Sequence, residues 1–405
     1  MRPAVLFIMV TVMIDAMGIG LIIPVMPDLI RDVNGGDLSQ AAVWGGILAT
    51  TFAAMQFLFG PVIGGLSDRY GRRRVLLISL VVMAADYVVM ALAGTIWLLL
   101  AGRVVGGITA ATQATASAYM ADISSAEHRT RSFGLIGAAF GMGFVLGPLI
   151  GGLLAELGPR APFWAAAALA TGNVIFGWFV LKETLSPERA RPFDLRRANP
   201  LGAIRQLGEL PGVRKLIAVY FLYHVAFAVY PSIWAYFGQE RFAWSPSTIG
   251  LSLGLFGVAM ALVQGLLIRV VLARFGERRT VVLGLLVAIG SYTVIGFVTS
   301  GALTLALTPV AAIAGIVPIA LQGIMSRRVE DNAQGELQGA LTSAVSLAMI
   351  GTPLVMTWTF FQFTHDGTAF YMPGAPFLLS AGLSLLALFL FLLRRTVPHS
   401  ETAGP

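Results

Sequence analysis

Residues 64–73 read GGLSDRYGRR, and the composition on either side of this segment decides the fold. Apolar runs occupy roughly residues 42–66 before it and 75–94 after it. A helix of about 20 apolar residues is long enough to cross the hydrocarbon core of a bilayer. The segment is therefore interpreted as a short basic loop that joins two membrane-spanning helices.

The same alternation of apolar runs and short polar connections extends over the whole chain. Apolar residues make up 57% of the sequence and charged residues only 12%, which is about half the charged fraction of a typical soluble domain. Twelve runs can be marked, at roughly 4–27, 42–66, 75–94, 96–118, 132–155, 162–181, 214–237, 247–272, 280–299, 302–325, 337–362 and 373–393. The sequence predicts an all-α membrane protein with twelve transmembrane helices in a lipid bilayer.

The basic charge is explained by the predicted topology. The 27 lysine and arginine residues exceed the 20 aspartate and glutamate residues, which in a soluble protein would suggest a nucleic-acid partner. Most of these basic residues fall in loops on one side of the membrane if the N-terminus is cytoplasmic. The positive-inside rule then predicts that both termini are cytoplasmic, and no nucleic-acid partner is predicted.

Several classes of chemistry find no support in the sequence. It contains no cysteine, so disulfides, thiolate nucleophiles and cysteine-based metal sites are excluded. It contains no GxxxxGK[ST] phosphate-binding loop. An enzyme would need a nucleophile with a base, or a set of metal ligands, and the predicted helices hold a single histidine. We therefore expect neither an enzyme nor a bound cofactor or metal.

An internal repeat divides the chain near its middle. The segment Arg69–Arg73 follows the second run, and the similar segment Arg274–Arg278 follows the eighth run, 205 residues later. Gly147-Pro148 and Thr352-Pro353 are separated by the same 205 residues. Two landmarks at one offset indicate a duplicated six-helix unit. The predicted domains are residues 1–184, a cytoplasmic central loop at 185–212, and residues 213–405.

Three charged residues lie deep inside the predicted membrane spans, away from the helix ends: Asp15, Asp86 and Arg103. A charge at mid-membrane costs at least about 2.5 kcal/mol. At 1.5 Å per residue, the two acids lie ~16 Å from the cytoplasmic starts of their helices and the arginine lies ~10 Å from the outer start of its helix, which is the middle third of a ~30 Å core. We therefore expect a polar cavity in the N-terminal half, lined by helices 1, 3 and 4.

Two interpretations of these charges remain open from the residues alone. In one, a carboxyl group takes up and releases protons as its distance from the arginine changes, because desolvation favours the neutral acid and a nearby cation favours the carboxylate. In the other, acid and arginine form a static ion pair. We favour proton coupling, with Asp15 as the first choice, because Gly18, Gly20, Pro24 and Pro27 can bend its helix.

Other intramembrane polar residues are candidates for the substrate cavity. They are Gln56, Gln113, His224, Gln264 and Gln322. Each could contact a substrate or could simply hydrogen-bond neighbouring helices, and for His224 the packing interpretation is favoured because buried polar groups need partners.

The quoted loop resembles the signature between helices 2 and 3 of the major facilitator superfamily, whose fold has two six-helix halves related by a pseudo-two-fold axis. The resemblance implies a gating loop, in which Asp68 docks against the C-terminal half and Arg72 pairs with Asp122. Its members are Asp68, Arg69, Gly71, Arg72, Arg73 and Asp122.

Two further motifs extend the resemblance. RVVGG at 103–107 is similar to the arginine motif that the superfamily links to proton transfer. GFVLGPLIGG at 143–152 is similar to the antiporter motif of drug exporters, with Gly143, Gly147, Pro148, Gly151 and Gly152. Its glycine and proline pattern suits a bent, closely packed helix.

Among drug exporters the chain most resembles tetracycline/proton antiporters. The resemblance is carried by DAMGIGLIIPVMP at 15–27, by the loop aspartate Asp68 and by Asp86-Tyr87. The chain departs from that family in helix 9, where the family has an aspartate and this chain has no acid near Ala288. It also departs in helix 8, where Met260 stands in place of a frequent histidine. The C-terminal side of the cavity is therefore expected to be more apolar.

The resemblance implies proton-coupled efflux of a hydrophobic or amphipathic, tetracycline-like drug by alternating access. The alternative is a proton-coupled transporter of another small metabolite with the same fold. The expected driving force is the proton gradient, and the expected location is a bacterial plasma membrane, where the protein would work as a monomer. An intramembrane enzyme or a receptor is much less favoured.

Overall fold

The computed structural model describes residues 3–110, 112–124, 129–185, 212–330 and 333–393. Regular secondary structure within these ranges is entirely helical. The N-terminal half contains α1 Pro3–Ile22, α2 Met26–Asn34, α3 Leu38–Tyr70, α4 Arg72–Leu92, α5 Ile96–Thr109, α6 Thr112–Ile123, α7 Arg129–Leu154 and α8 Ala161–Val180. The C-terminal half contains α9 Arg214–Phe227, α10 Val229–Phe242, α11 Pro246–Leu262, α12 Ile268–Phe297, α13 Gly301–Ala312, α14 Ile316–Ser326, α15 Gln334–Thr364 and α16 Ala375–Leu392.

These helices can be grouped into twelve passes once broken and merged helices are taken into account. Passes 1, 4, 7 and 10 are each built from two helices in line: α1 with α2, α5 with α6, α9 with α10, and α13 with α14. Pass 8 is α11 with the π-turn Val263–Leu267 and the part of α12 before Gly276. Gly276, at φ 69°, interrupts α12, and the part of α12 after it is pass 9. Passes 2, 3, 5, 6, 11 and 12 are α3, α4, α7, α8, α15 and α16. The predicted all-α membrane fold is confirmed, and the helices are consistent with twelve passes.

The break in pass 1 lies where the sequence predicts a bend. Helix α1 ends at Ile22 and α2 begins at Met26, with Pro24 between them. Proline has no backbone N–H and its ring clashes with the preceding turn, so it interrupts a helix. The predicted domain boundaries stay a prediction, because residues 186–211 of the central loop lie outside the described residues.

The two ends of the bundle differ in charge. The arginine-rich end carries the turns at Gly71 and Gly276. It also carries the segments 181–185 and 212–215, which flank the central loop. The arginine-poor end carries the connections at 35–37, 93–95, 158–160, 243–245, 298–300 and 365–374.

Two salt bridges, one in each half, add a third landmark to the internal repeat. Arg72 Nε lies 3.4 Å from Asp122 Oδ2 in the N-terminal half. The residues 205 positions later are Glu277 and Arg327, and they too form a salt bridge. The two halves thus hold equivalent turns with ion pairs of opposite polarity.

The halves contact each other from the arginine-poor end to the middle of the bundle. Thr50 Oγ1 of pass 2 donates a hydrogen bond of 2.8 Å to the Ile350 carbonyl of pass 11. A Cβ placed on Gly152 of pass 5 would lie 3.0 Å from Ser247 Cα of pass 8. The backbones of the two halves therefore approach closely, as small residues allow in membrane proteins.

The same four passes diverge toward the arginine-rich end. Glycines in this part of passes 2, 5, 8 and 11 have open space where a side chain would begin: Gly60, Gly64, Gly134, Gly137, Gly141, Gly265, Gly335 and Gly339. Within the described ranges, this pattern indicates a bundle that is closed at its arginine-poor end and open at its arginine-rich end.

The close contact between passes 5 and 8 generates a prediction. A side chain at Gly250 would collide with the Pro148 carbonyl and approach Gly152 Cα at 3.1 Å. Gly250→Val should therefore destabilise the closed state by about 1–3 kcal/mol through overpacking, seen as a lower midpoint of thermal unfolding in detergent. Gly290→Val is the matched control, because nothing lies within 4 Å of its Cβ position. Equal midpoints for the two variants would contradict the proposed contact.

Candidate functional site

A cavity of about 260 Å³ is lined mainly by residues of the N-terminal half. Asp15 enters it from α1, and Asp86 with Tyr87 from α4. Helices α5 and α6 contribute Arg103, Gly106 and Thr112. Pass 2 adds the apolar wall and Gln56, and pass 7 of the C-terminal half closes one side through Pro231, Ser232, Ala235 and Tyr236. The structure thus brings the three predicted charges to one cavity.

Asp86 and Arg103 form a buried ion pair. Arg103 Nη2 donates a hydrogen bond of 3.1 Å to Asp86 Oδ2, and the two side chains are only 10% and 4% exposed. The guanidinium also contacts Met90 Sδ and lies 5.2 Å from the centre of the Phe52 ring. A cation over an aromatic face gains further attraction where water is excluded.

The sequence around Arg103 makes room for its partner. A Cβ on Gly102 would lie 2.7 Å from Asp86 Oδ1, and one on Gly106 would lie 2.6 Å from Asp86 Oδ2. Larger residues at either position would push the carboxylate away from the guanidinium. Gly102, just before the arginine motif, and Gly106 within it therefore let passes 3 and 4 approach closely enough for the pair to form.

Asp15 differs from Asp86 in having no cationic partner among the described residues. Its Oδ1 atom is buried and forms no hydrogen bond there. The neighbouring turn is packed tightly, since Gly18 lies against the Tyr87 phenol with no space for a side chain. The cavity therefore contains one paired and one unpaired carboxyl group.

The residues of the antiporter motif pack pass 5 against two different helices. Gly143, Gly147 and Gly151, spaced four residues apart, face the backbone of pass 1. A Cβ on Gly147 would lie 2.6 Å from the Met17 carbonyl oxygen. Gly152 instead faces pass 8, as does the Pro148 carbonyl. The motif thus packs pass 5 against pass 1, which carries Asp15, and also against pass 8 of the other half.

The gating loop forms an ion cluster within its own half. Gly71 has φ 102°, a conformation that favours glycine. Arg72 pairs with Asp68 Oδ1 at 2.5 Å and with Asp122 Oδ2 at 3.4 Å, so the implied Arg72–Asp122 contact is present. Docking of Asp68 on the C-terminal half stays a prediction for a state closed at this end.

Flanking residues hold this loop in place. Arg69 lies over the ring of Tyr70, with its guanidinium carbon 5.0 Å from the ring centre. Arg73 donates a hydrogen bond of 3.0 Å to the Trp178 carbonyl. Glu183, which the sequence analysis missed, accepts hydrogen bonds from the backbone N–H groups of Arg72 at 2.9 Å and Arg73 at 3.3 Å. An acid at the N-terminus of a helix stabilises that helix, here α4. The sequence pointed to this role only through the position of Glu183, just after pass 6 at the same end of the bundle as the loop.

The uncharged candidates for the cavity are scattered. Gln56 lines the cavity and donates to the Ala110 carbonyl at 3.3 Å. His224 Nδ1 lies 2.9 Å from the Tyr220 carbonyl oxygen of the same helix. Gln322 donates a hydrogen bond of 2.9 Å to Gln338, which joins passes 10 and 11. Gln264 is exposed in the π-turn of pass 8. The side chain of Gln113 lies outside the described part of the structure.

The interior of the C-terminal half is filled with aromatic rings. Tyr230 lies 5.0 Å from Phe256 and 5.7 Å from Tyr292, measured between ring centres. Ala288 is buried among this core, and Met260 contacts Gly315. Both positions at which the chain departs from the resembled family are therefore occupied by apolar packing.

A helical membrane bundle consistent with twelve passes, with two repeated halves and a charged cavity inside it, is the architecture of a membrane transporter. The family model described as Major Facilitator Superfamily matches residues 8–230 and 216–405. The chain belongs to the major facilitator superfamily and, within it, to the family of the bacterial tetracycline resistance proteins.

Individual relatives are similar over most of the chain. The class C tetracycline resistance protein of Escherichia coli is 43% identical over 87% of this chain and 89% of its own length. The class G protein of Vibrio anguillarum is 38% identical over 88% and 90%. Among solved structures, the human organic anion transporter MFSD10 (TETRAN) has a TM-score of 0.69 and 26% identity, covering 96% of this chain and 99% of that chain.

The buried pair predicts non-additive effects on stability. Arg103→Met should destabilise the protein by about 3–5 kcal/mol, because it leaves a buried carboxylate without its partner. The double variant Asp86→Leu with Arg103→Met should recover most of that loss, because apolar residues of similar volume replace the pair. Thermal unfolding of the single and double variants in detergent measures the coupling. If the destabilisation of the double variant equals the sum of the destabilisations of the two single variants, a direct ion pair is refuted.

Proposed function

We propose that the protein exports a tetracycline-like drug across a bacterial plasma membrane in exchange for protons. The observation that carries the proposal is that an unpaired acid, Asp15, and the Asp86–Arg103 pair line one cavity inside the membrane. Intramembrane acids facing a cavity are typical of proton relays. The resemblance to the tetracycline resistance proteins over most of the chain supports the choice of drug.

In this proposal the cavity alternates between the two sides of the membrane. The positive-inside rule puts the arginine-rich end and both termini in the cytoplasm, so the described state opens inward. The halves then rock about the central site, as a monomer. Protonation favours one of the two states and drug binding favours the other. The coupling equals the difference in affinity that each ligand, proton or drug, has for the two states.

The cavity charge helps to choose between substrate classes. The structural neighbour MFSD10 is named as an organic anion transporter, and transport of another metabolite is the second candidate. Two carboxyl groups face the cavity of this chain against one guanidinium. An anionic ligand would meet like charge there, so a neutral or cationic amphipathic ligand fits better.

Transport in everted membrane vesicles tests the proposal. A vesicle that is acidic inside should accumulate tetracycline, and Asp15→Asn should abolish this accumulation while the protein still inserts, because the amide cannot exchange a proton. Glu156→Gln, at an exposed position of the arginine-poor end, is the matched control and should transport normally. Full transport by both Asp15→Asn and Asp86→Asn would rule out the coupling scheme, and absence of transport by the wild type would rule out the drug.

A further inference from the structure

Helix α10 brings one unsatisfied polar group to the cavity. It contributes Pro231, Ser232, Ala235 and Tyr236 to the lining. The Ser232 hydroxyl already donates to the Ala228 carbonyl at 2.6 Å. Tyr236 is 5% exposed, and its buried hydroxyl has no hydrogen-bond partner among the described residues. A buried donor left unpaired costs about 1–3 kcal/mol, which a ligand with an acceptor oxygen would offset.

The Tyr236 side chain lies in the part of the cavity lining nearer the arginine-poor end. Its hydroxyl touches Gly45 of pass 2, where even a Cβ would overlap it. At the next residue, a Cβ on Gly46 would lie 3.1 Å from the Pro353 carbonyl of pass 11. Passes 2, 7 and 11 therefore meet at this level, and the phenol fills the space between them.

One turn farther along α10, a polar contact joins the two halves. Gln239 donates to Asp28 Oδ2 at 3.1 Å and accepts from Arg31 Nη2 at 3.1 Å. Residues three apart lie on the same face of a helix. The face of α10 that presents Tyr236 to the cavity thus also presents Gln239 to the N-terminal half.

We infer that Tyr236 forms the roof of the cavity and is the residue through which the C-terminal half recognises the ligand. When a ligand is bound, the phenol turns from Gly45 toward the cavity and donates a hydrogen bond to an oxygen of the ligand, and its ring separates the ligand from the arginine-poor end. The ligand is an amphipathic molecule with an acceptor oxygen for Tyr236 and a donor or cationic group for Asp15. The identity of the ligand rests on the proposed function, whereas the role of the ring does not.

Equilibrium binding tests the role of the hydroxyl, with tetracycline as the probe and purified protein in detergent. Tyr236→Phe should weaken binding about fivefold to tenfold, the value of one hydrogen bond. Tyr230→Phe is the matched control: its hydroxyl is also buried and unpartnered, but it belongs to the aromatic core and should leave binding unchanged. Equal affinity of Tyr236→Phe and wild type would overturn the recognition role, as would an equal loss in both variants.

Cysteine labelling tests the roof without any ligand, and the chain offers a natural background because it contains no cysteine. Ala49→Cys places a thiol in the cavity wall. An impermeant maleimide added at the arginine-poor side should label it slowly when residue 236 is Tyr or Phe, and several times faster in Tyr236→Ala. Labelling from the arginine-rich side should stay equal, which reports correct folding.

The two experiments separate the possible failures. If wild-type protein binds no tetracycline, the proposed drug is wrong, and the labelling result decides the role of Tyr236. If Tyr236→Ala labels no faster than wild type, or if Tyr236→Phe labels as fast as Tyr236→Ala, the ring is not the roof and the inference is overturned.

Discussion

A guanidinium and a carboxylate held together inside an apolar bundle constrain much of the N-terminal half. Neither group tolerates loss of water unless the other is within bonding distance, and Arg103 Nη2 is 3.1 Å from Asp86 Oδ2. That distance requires passes 3 and 4 to approach so closely that Gly102 and Gly106 have no space for side chains. The cavity is the remaining volume around this pair, and Asp15 faces the same volume without a cation of its own.

Close contacts at glycines contribute to the relation between the halves. Gly152 and Gly250 bring passes 5 and 8 together at the arginine-poor end, whereas glycines in the other part of the same passes face open space. Such contacts depend on van der Waals packing between backbones, which supplies much of helix association in membranes. Backbone contacts of this kind at Gly152 and Gly250 suit a bundle whose halves rock.

The sequence was sufficient for the features that carry a large energetic cost. Apolar runs long enough to span a bilayer predicted the passes, and the cost of intramembrane charge singled out Asp15, Asp86 and Arg103. Neutral residues carry no such signal. Tyr236 fits equally well in a core or a cavity wall, and the direction of Gln264 or Gln322 depends on the rotation of a helix that is apolar on all sides. Glu183 acts through a turn distant in sequence, so its partners appear only in the folded chain.

The three charged residues of the cavity all belong to one repeat. The residues 205 positions after Asp15, Asp86 and Arg103 are Tyr220, Ser291 and Thr308, and the C-terminal interior around them is packed with aromatic side chains. After duplication, the two copies have thus come to carry different chemistry. Substitutions in the aromatic copy can reshape the wall that a ligand meets while leaving the ionisable residues untouched. Selection by new antibiotics can therefore act on one copy without disturbing the acids of the other.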